Sequence, residues 1–226
     1  SFVAVVGGST SLSTLTTDAA GTLVLNGVNT TAAQTYNETG SVSLNGSFNT
    51  NGTAFTINGP ATLTGATTIN AGAGSITFTR TVDGTFGLTA NSTGLTTFNT
   101  TVGGTTGLTS LTTDAGGNAT LKSVTTTGAQ SYGDSTVTLN GTYTTTNSAF
   151  SISGNTVLGG NTVVTTGSGA VTFTGAVDGT KGLTVNSTGA TNFNEEVTTA
   201  SGLHQDDAAG LITFFKDVTV QGAGDT

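Results

Sequence analysis

The chain has 226 residues, among which Thr, with 56, and Gly, with 35, are the most prominent. Four Lys and Arg stand against 12 Asp and Glu, and the formal net charge of -8 argues against the clustered basic surface that binds nucleic acids or anionic membranes. The chain has no Cys, which excludes disulfides and thiolate metal sites, and no apolar run approaches the roughly 18 residues of a membrane-spanning helix.

The apolar content is sufficient for a folded chain. Leu, Ile, Val and Phe together number 51 of the 226 residues, which lies above the roughly 20% below which chains stay disordered. Thr, Val and Phe favour strands, whereas Lys, Arg, Gln, Met and Glu, which favour helices, are scarce. We therefore expect an all-β fold with almost no helix.

Long internal repeats run through the whole chain. Residues 6–21 (VGGSTSLSTLTTDAAG) match residues 102–117 (VGGTTGLTSLTTDAGG) at an offset of 96. Farther along, residues 76–94 (ITFTRTVDGTFGLTANSTG) match residues 171–189 (VTFTGAVDGTKGLTVNSTG) at an offset of 95. We predict one continuous segment, 1–226, built from copies at residues 6–101, 102–197 and, in part, 198–226.

A shorter motif, Phe-x-x-x-Val, recurs inside these copies at closest spacings of 20 or 21 residues. This spacing is too short for a domain and suits one turn of a β-solenoid, in which about three short strands form a rung that stacks on the next. We predict a parallel β-helix of about ten rungs with about 20 residues in each, and the alternative is a tandem pair of immunoglobulin-like sandwiches. The motif residues, which we expect to fill the bore, are Phe2, Val6, Phe78, Val82, Phe98, Val102, Phe173, Val177, Phe193, Val197, Phe214 and Val218.

The residues between these motifs predict strand faces and corners. Apolar and polar residues alternate in segments such as 76–78 (ITF), so the apolar side chains would point into the bore and Thr would line the outside. Turn signals such as Asp83-Gly84 and Asn140-Gly141 separate the runs and predict the corners. Pro occurs only at Pro60, which suits backbones that must donate to a neighbouring rung.

No set of residues in the sequence predicts catalysis. His204 is the only His, and the acids Glu195-Glu196 and Asp206-Asp207 form adjacent pairs. Adjacent side chains on a strand point to opposite faces, so neither pair can by itself flank a scissile bond. We expect no enzyme, and a polysaccharide-active β-helix enzyme remains the alternative if these four acids converge in one groove.

Two kinds of binding site are left open. Calcium-binding glycine repeats need Gly-Gly-x-Gly-x-Asp, which Gly7-Gly8, Gly103-Gly104 and residues 222–225 do not complete. We therefore expect no cofactor, with weak calcium binding at acidic loops as an open alternative. Outward pairs such as Thr77 and Thr79 leave ice binding as a further alternative to the ordinary suitability of Thr for an exposed strand face.

Three segments carry a resemblance to a known group of proteins: GLTSLTTDAGG (107–117), VTTTGAQSY (124–132) and VTFTGAVDGTKGLTVNSTGATNF (171–193). They resemble the repeats of very large bacterial surface proteins of the filamentous haemagglutinin and autotransporter-adhesin type, and the resemblance covers essentially the whole chain. It implies a right-handed parallel β-helix that is secreted across the outer membrane and acts in adhesion, in aggregation or as a stalk.

The function that we predict is a structural or adhesive segment of an extracellular fibre on a bacterial surface. The repeat pattern is incomplete at both ends and the chain begins with Ser, so we expect a segment of a longer array. Its expected partners are further repeats of the same chain and cell-surface glycans or proteins, with no nucleic acid and no membrane span. The alternative is a self-assembling filament subunit, in which identical chains join end to end.

Overall fold

The computed structural model describes residues 1–205 and 210–221, which form 28 strands and no helix. The strands are β1 (Leu15–Thr16), β2 (Thr22–Leu25), β3 (Val28–Asn29), β4 (Gln34–Tyr36), β5 (Ser41–Asn49), β6 (Phe55–Ile57), β7 (Ala61–Gly72), β8 (Ile76–Phe78), β9 (Val82–Gly84), β10 (Gly87–Ser92), β11 (Leu95–Phe98), β12 (Ser110–Thr113), β13 (Asn118–Leu121), β14 (Val124–Thr125), β15 (Gln130–Tyr132), β16 (Thr136–Leu139), β17 (Thr142–Thr144), β18 (Phe150–Ile152), β19 (Asn155–Leu158), β20 (Thr162–Gly167), β21 (Val171–Phe173), β22 (Val177–Gly179), β23 (Leu183–Ser187), β24 (Thr191–Phe193), β25 (Val197–Thr199), β26 (Leu203–Gln205), β27 (Ile212–Phe214) and β28 (Val218–Val220).

The strands form a β-solenoid of about ten rungs with about 21 residues in each rung. Every pairing between named strands in the described part of the chain is parallel, as in the ladder that joins Val177, Val197 and Val218. Immunoglobulin-like sandwiches are antiparallel, so that alternative is wrong. The prediction of an all-β parallel solenoid is confirmed, and its rung of about 21 residues agrees with the motif spacing of 20 or 21 residues.

Three faces enclose the bore. The first face is the 11-stranded sheet β1-β4-β6-β8-β11-β13-β16-β19-β22-β25-β28. The second face contains β2, the first halves of β5 and β7, then β9, β14, β17, β20, β23 and β26. Isolated bridges of Val102 to Val82 and to Val124 keep this face continuous where no strand is formed. The third face contains β3, the second halves of β5 and β7, then β10, β12, β15, β18, β21, β24 and β27.

The core is one continuous apolar column along the bore. Alternate residues are buried in most strands between the two ends, as in the twelve residues of β7, because successive side chains of a strand point to opposite faces. Aromatic rings stack from rung to rung: the centroids of Phe78 and Phe98 lie 5.1 Å apart, as do those of Phe173 and Phe193. Because each rung contacts only its neighbours, the fold is stabilised by packing between adjacent rungs and not by packing between distant rungs.

The two sequence copies lie on different faces of the solenoid. Phe78 is in β8 on the first face, whereas its counterpart Phe173, 95 residues later, is in β21 on the third face. Val42 of β5 likewise lies on the second face, and its counterpart Val137 of β16 lies on the first. The first-face strands β11, β13, β16 and β19 follow β8 before the chain continues through β20 to β21. One copy therefore spans four complete rungs and two further faces, so the next copy is rotated by about a third of a turn.

Candidate functional site

The predicted motif residues occupy the bore in the middle of the solenoid and the rims at its ends. Phe2 at one end and Phe214 and Val218 at the other keep about two fifths of their surface exposed, at 43%, 40% and 39%. Val6 is partly buried against the core. The remaining motif residues are buried: Phe78, Val82, Phe98, Val102, Phe173, Val177, Phe193 and Val197. The motif thus builds rungs and presents no side chain to a ligand along most of the length.

The bore also holds polar side chains, which corrects the expectation of a purely apolar interior. Gln34 is fully buried, and its Nε2 donates to the carbonyl of Asn49 at 2.9 Å and to the carbonyl of Val28 at 3.2 Å. The hydroxyl of Tyr36 donates to Oε1 of the same Gln at 2.9 Å. The buried amide is therefore satisfied at both ends, which is the condition for keeping a polar group in a core.

The same network recurs in the second copy. Gln130 donates through Nε2 to the carbonyls of Thr144 at 2.9 Å and of Val124 at 3.2 Å, and Tyr132 donates to its Oε1 at 3.0 Å. Burial raises the pKa of the Tyr132 phenol well above its usual value, with smaller contributions from Tyr143 and Asp134. The signal that could have revealed this network was the repeated Gln-x-Tyr at residues 34–36 and 130–132.

Several buried Thr side chains close the corners from the inside. The hydroxyl of Thr126 donates to the carbonyl of Gly128 at 2.6 Å, and that of Thr166 donates to the carbonyl of Gly169 at 2.6 Å. These bonds satisfy backbone carbonyls that the ladders do not reach. The abundance of Thr therefore has two structural causes, because Thr also lines the outside.

A column of hydroxyl groups runs along the outside of the first face. Parallel pairing places one outward Thr of each rung directly over the next through seven successive strands, and Val157 and Asp178 follow before Thr resumes. The spacing of adjacent strands, about 4.8 Å, sets the repeat of this column. The aligned residues are Thr16, Thr35, Thr56, Thr77, Thr97, Thr120 and Thr138.

The Thr-x-Thr pair that suggested ice binding does not recur on every rung of this face, although β16 carries a second pair, Thr136 and Thr138. Thr79, two residues after Thr77, is flanked along the ladder by Asn58 and Asn99 and donates its hydroxyl to the carbonyl of Asn58 at 2.9 Å. The first face thus carries one long Thr column, and the positions two residues after it mix Thr and Asn with other residues such as Lys122.

Stacked asparagine side chains mark the third face of the first copy. Asn70 Nδ2 donates to Asn49 Oδ1 at 2.7 Å, and Asn91 Nδ2 donates to Asn70 Oδ1 at 2.8 Å. Asn49 in turn donates to Asn29. Each amide is both donor and acceptor, so the column links four rungs through side chains alone.

Buried or partly buried carboxylates occupy one corner of each copy. In the second copy, Thr113 donates its hydroxyl to Asp134, and the backbone N–H of Ser92 donates to Asp114 Oδ1 at 2.6 Å. Burial raises the pKa of Asp134 above its usual value, the hydrogen bond from Thr113 opposes that rise, and the charge of Asp114 adds to it. In the first copy, Thr17 donates to Glu38 Oε2 at 2.9 Å.

Of the other charged candidates from the sequence, the structure describes only the glutamate pair. Glu195 and Glu196 are both exposed, and they lie in the corner between β24 and β25 and not on a strand. Asp206 and Asp207, like residues 222–225 of the third glycine pattern, lie outside the described residues. In residues 1–205 and 210–221, no group of three His, Cys, Asp or Glu is placed to hold a metal ion. The expectation that adjacent acids lie on opposite faces of a strand is therefore wrong for this glutamate pair.

The surface of the described residues includes an apolar hollow and a polar groove. An apolar hollow of about 210 Å³ at the carboxyl-terminal rim is lined by Phe193, Ile212, Phe214 and the exposed His204 of β26, among others. A polar groove of about 310 Å³ on the first copy is lined by Glu38, Arg80 and the stacked amides of its neighbouring rungs. Arg80 corresponds to Gly175 in the second copy, so the cationic side chain of this groove is not repeated.

Comparisons with known proteins identify no relative of the chain, so its function has to be inferred from the geometry of the structure. Over the described residues, no helix is long and apolar enough to cross a membrane. The parallel rungs are compatible with β-repeat proteins. No protein-family model, curated protein or solved structure matches the chain.

Proposed function

We propose that the chain is a structural and adhesive segment of an extracellular fibre on a bacterial surface. The observation that supports this most strongly is the unbroken parallel stacking of about ten rungs. At about 4.8 Å per rung, these form a rod about 50 Å long, and each added copy would lengthen it without altering its cross-section. Residues 107–117, 124–132 and 171–193, which resemble repeats of filamentous haemagglutinin and autotransporter adhesins, support the location outside the cell.

The physical properties of the chain suit export and folding outside. The chain has no Cys, so no disulfide can form that would obstruct passage through a pore. Since each rung contacts only its neighbours, folding can begin at one end and propagate as the chain emerges. A role as a stalk requires neither a catalytic group nor a cofactor.

The outer surface offers groups for adhesion. The Thr column of the first face and the exposed corner amides present regularly spaced donors and acceptors, which suit the hydroxyl groups of cell-surface glycans or the backbone of surface proteins. The remaining partners in this proposal are further repeats of the same chain, stacked on the rims.

The mass and the exposure of the native polypeptide test this proposal. An antibody against residues 102–197 should label intact cells and should detect a polypeptide of several hundred kDa, which protease treatment of intact cells removes. Detection of a protease-protected chain of 22.0 kDa inside the cell would overturn it.

A second candidate function is a self-assembling filament subunit. The exposed apolar residues at both rims favour it: Val3 is 88% exposed at one end, and Leu211 and Phe215 are 74% and 63% exposed at the other. Among the described residues, the last strands of the three faces, β26, β27 and β28, also have a neighbour on one side only, and such strand edges pair readily with a second chain. Long fibres built from chains of 22.0 kDa would support this candidate against the first, and Phe215→Lys should then prevent their growth.

A further inference from the structure

One buried carboxylate oxygen in the second copy has no hydrogen-bond partner. Asp134 lies at the corner between β15 and β16 and is 0% exposed. Its Oδ2 accepts the hydrogen bond from Thr113, whereas its Oδ1 is buried without any partner. An ionised carboxylate is rarely buried unless its charge and its lone pairs are compensated. Oδ1 of Asp134 is therefore available as a ligand at this corner.

A second carboxylate lies beside it on the preceding rung. The ladder places Thr113 opposite Tyr132, which brings Asp114, the next residue, close to Asp134. The charge of Asp114 raises the pKa of Asp134, as expected for like charges that lie close together. Asp114 is only partly buried, so the pair is connected to solvent.

Nothing around Asp134 supplies the balancing charge. Burial, the hydroxyl of Thr113, its own backbone amide and Asp114 are the groups that set its pKa, and none of them is cationic. The corner therefore holds two carboxyl groups, and no cationic group is among those that set the pKa of Asp134.

We propose that Thr113, Asp114 and Asp134 form a binding site for a hard divalent cation, Ca²⁺. Calcium takes six to eight oxygen ligands and accepts irregular geometry. The free Oδ1 of Asp134 and the carboxylate of Asp114 supply the charged ligands, and main-chain oxygens and water complete the shell. The cation would add a second link between two rungs that the hydrogen bond from Thr113 to Asp134 already joins.

The first copy contains a related arrangement with a different chemistry. Thr17, Asp18 and Glu38 occupy the equivalent positions, and Thr17 bonds Glu38 as Thr113 bonds Asp134. The longer Glu38 side chain has no orphaned buried oxygen there. The proposal is therefore confined to the second copy, and the first copy serves as an internal comparison.

Terbium luminescence and calorimetry test the site on the whole chain. The chain has three Tyr and no Trp, and Tyr132, whose pKa the charge of Asp134 helps to raise, can sensitise Tb³⁺ bound at this corner. We expect one Ca²⁺ per chain with a Kd on the order of 10⁻⁴ to 10⁻³ M, and Tb³⁺ emission that Ca²⁺ displaces.

Three variants assign the site. Asp134→Asn keeps the size and the bond from Thr113 and should weaken binding at least tenfold. Asp114→Asn, at the more exposed position, should do the same, and circular dichroism checks that both variants fold. Asp178→Asn, at an exposed position on the first face, should leave binding unchanged.

Three results would overturn the proposal. The first is no Ca²⁺ binding at 10 mM, which would mean that the orphan oxygen carries a proton only. The second is full binding in both Asp134→Asn and Asp114→Asn. The third is an equal loss of binding in Asp178→Asn, which would show diffuse attraction to the acidic chain.

Discussion

The two sequence copies, residues 6–101 and 102–197, are built alike but face in different directions. In the first copy, Phe55 packs against Tyr36 with ring centroids 5.6 Å apart, and in the second copy Phe150 packs against Tyr132 at 5.7 Å. These equivalent clusters lie on the first face and on the third face respectively. The same aromatic cluster can thus pack on two different faces, because each residue contacts only the rungs next to it.

This rotation has a consequence for the surface. A position repeated in every copy turns by about a third of a revolution from one copy to the next, and it would return to its starting face after three copies. An array of such copies would therefore distribute an adhesive group around the rod and would not line it up on one side.

The copies differ most at their corners and outer columns. Asn29, Asn49 and Asn70 of the amide column correspond to Thr125, Thr144 and Thr165 in the second copy. There the column retains one long contact, in which Asn186 Nδ2 lies 3.4 Å from Thr165 Oγ1. The core was therefore duplicated more faithfully than the outer hydrogen bonds.

The largest expected effect tests whether the two cores are equivalent. Phe55→Ala and Phe150→Ala should each lower the free energy of unfolding by about 3 to 5 kcal/mol, because each removes a buried ring at the centre of an aromatic cluster. Denaturant unfolding followed by circular dichroism measures both. Phe86→Ala, at a side chain that is 39% exposed, is the control and should cost far less. A clear difference in the free energy of unfolding between Phe55→Ala and Phe150→Ala would show that the two cores are not equivalent.

Removal of the buried amides should have the next largest effect. Gln34→Leu and Gln130→Leu leave a buried tyrosine hydroxyl without its acceptor and remove one donor from buried carbonyls, so each should destabilise the chain by about 1 to 3 kcal/mol. The same unfolding measurement applies. Tyr132→Phe, which removes one hydroxyl, should cost less than Gln130→Leu, and an equal cost would mean that the amide contributes nothing beyond that bond.

Substitutions in the amide column should destabilise the first copy more than the equivalent substitutions destabilise the second copy. Asn70→Ala breaks one donated and one accepted side-chain bond, so we expect a loss of about 1 kcal/mol, whereas Thr165→Ala should cost half of that or less. Hydrogen exchange of the flanking rungs would locate the effect. Equal losses at the two positions would show that the column adds no stability of its own.

The smallest expected effect is a pH dependence that originates in the second copy. Because the pKa of Asp134 is raised in the folded state above the unfolded value of 3.8, the folded chain binds more protons between these two values. Without divalent cations, its contribution to the free energy of unfolding should therefore fall as the pH rises from about 4 through the folded pKa. Asp134→Asn should abolish this decline in thermal melts recorded in EDTA, and a decline that persists would assign it to other groups.

Much of the architecture could be predicted from local patterns. The 20-residue spacing of Phe78 and Phe98 indicated the rung, and alternation in segments such as 76–78 indicated the inward face. The alternation follows from the two-residue period of a strand, and the spacing follows from the length of one rung. The paired carboxylates at Asp114 and Asp134 could not be predicted in this way, because they lie 20 positions apart and meet only through the register of the ladder.

The sequence by itself determined the class of fold, the length of the rung and the identity of most core residues. These features follow from the composition and from the spacing of apolar residues along the chain. Only the tertiary structure decided which face each copy occupies. One copy spans four rungs and two further faces. That number of faces depends on how the chain turns at every corner. The tertiary structure also decided which polar groups enter the bore. Gln34 and Gln130 are buried because carbonyls of a neighbouring rung meet their amides, and those partners lie 14 or 15 residues away.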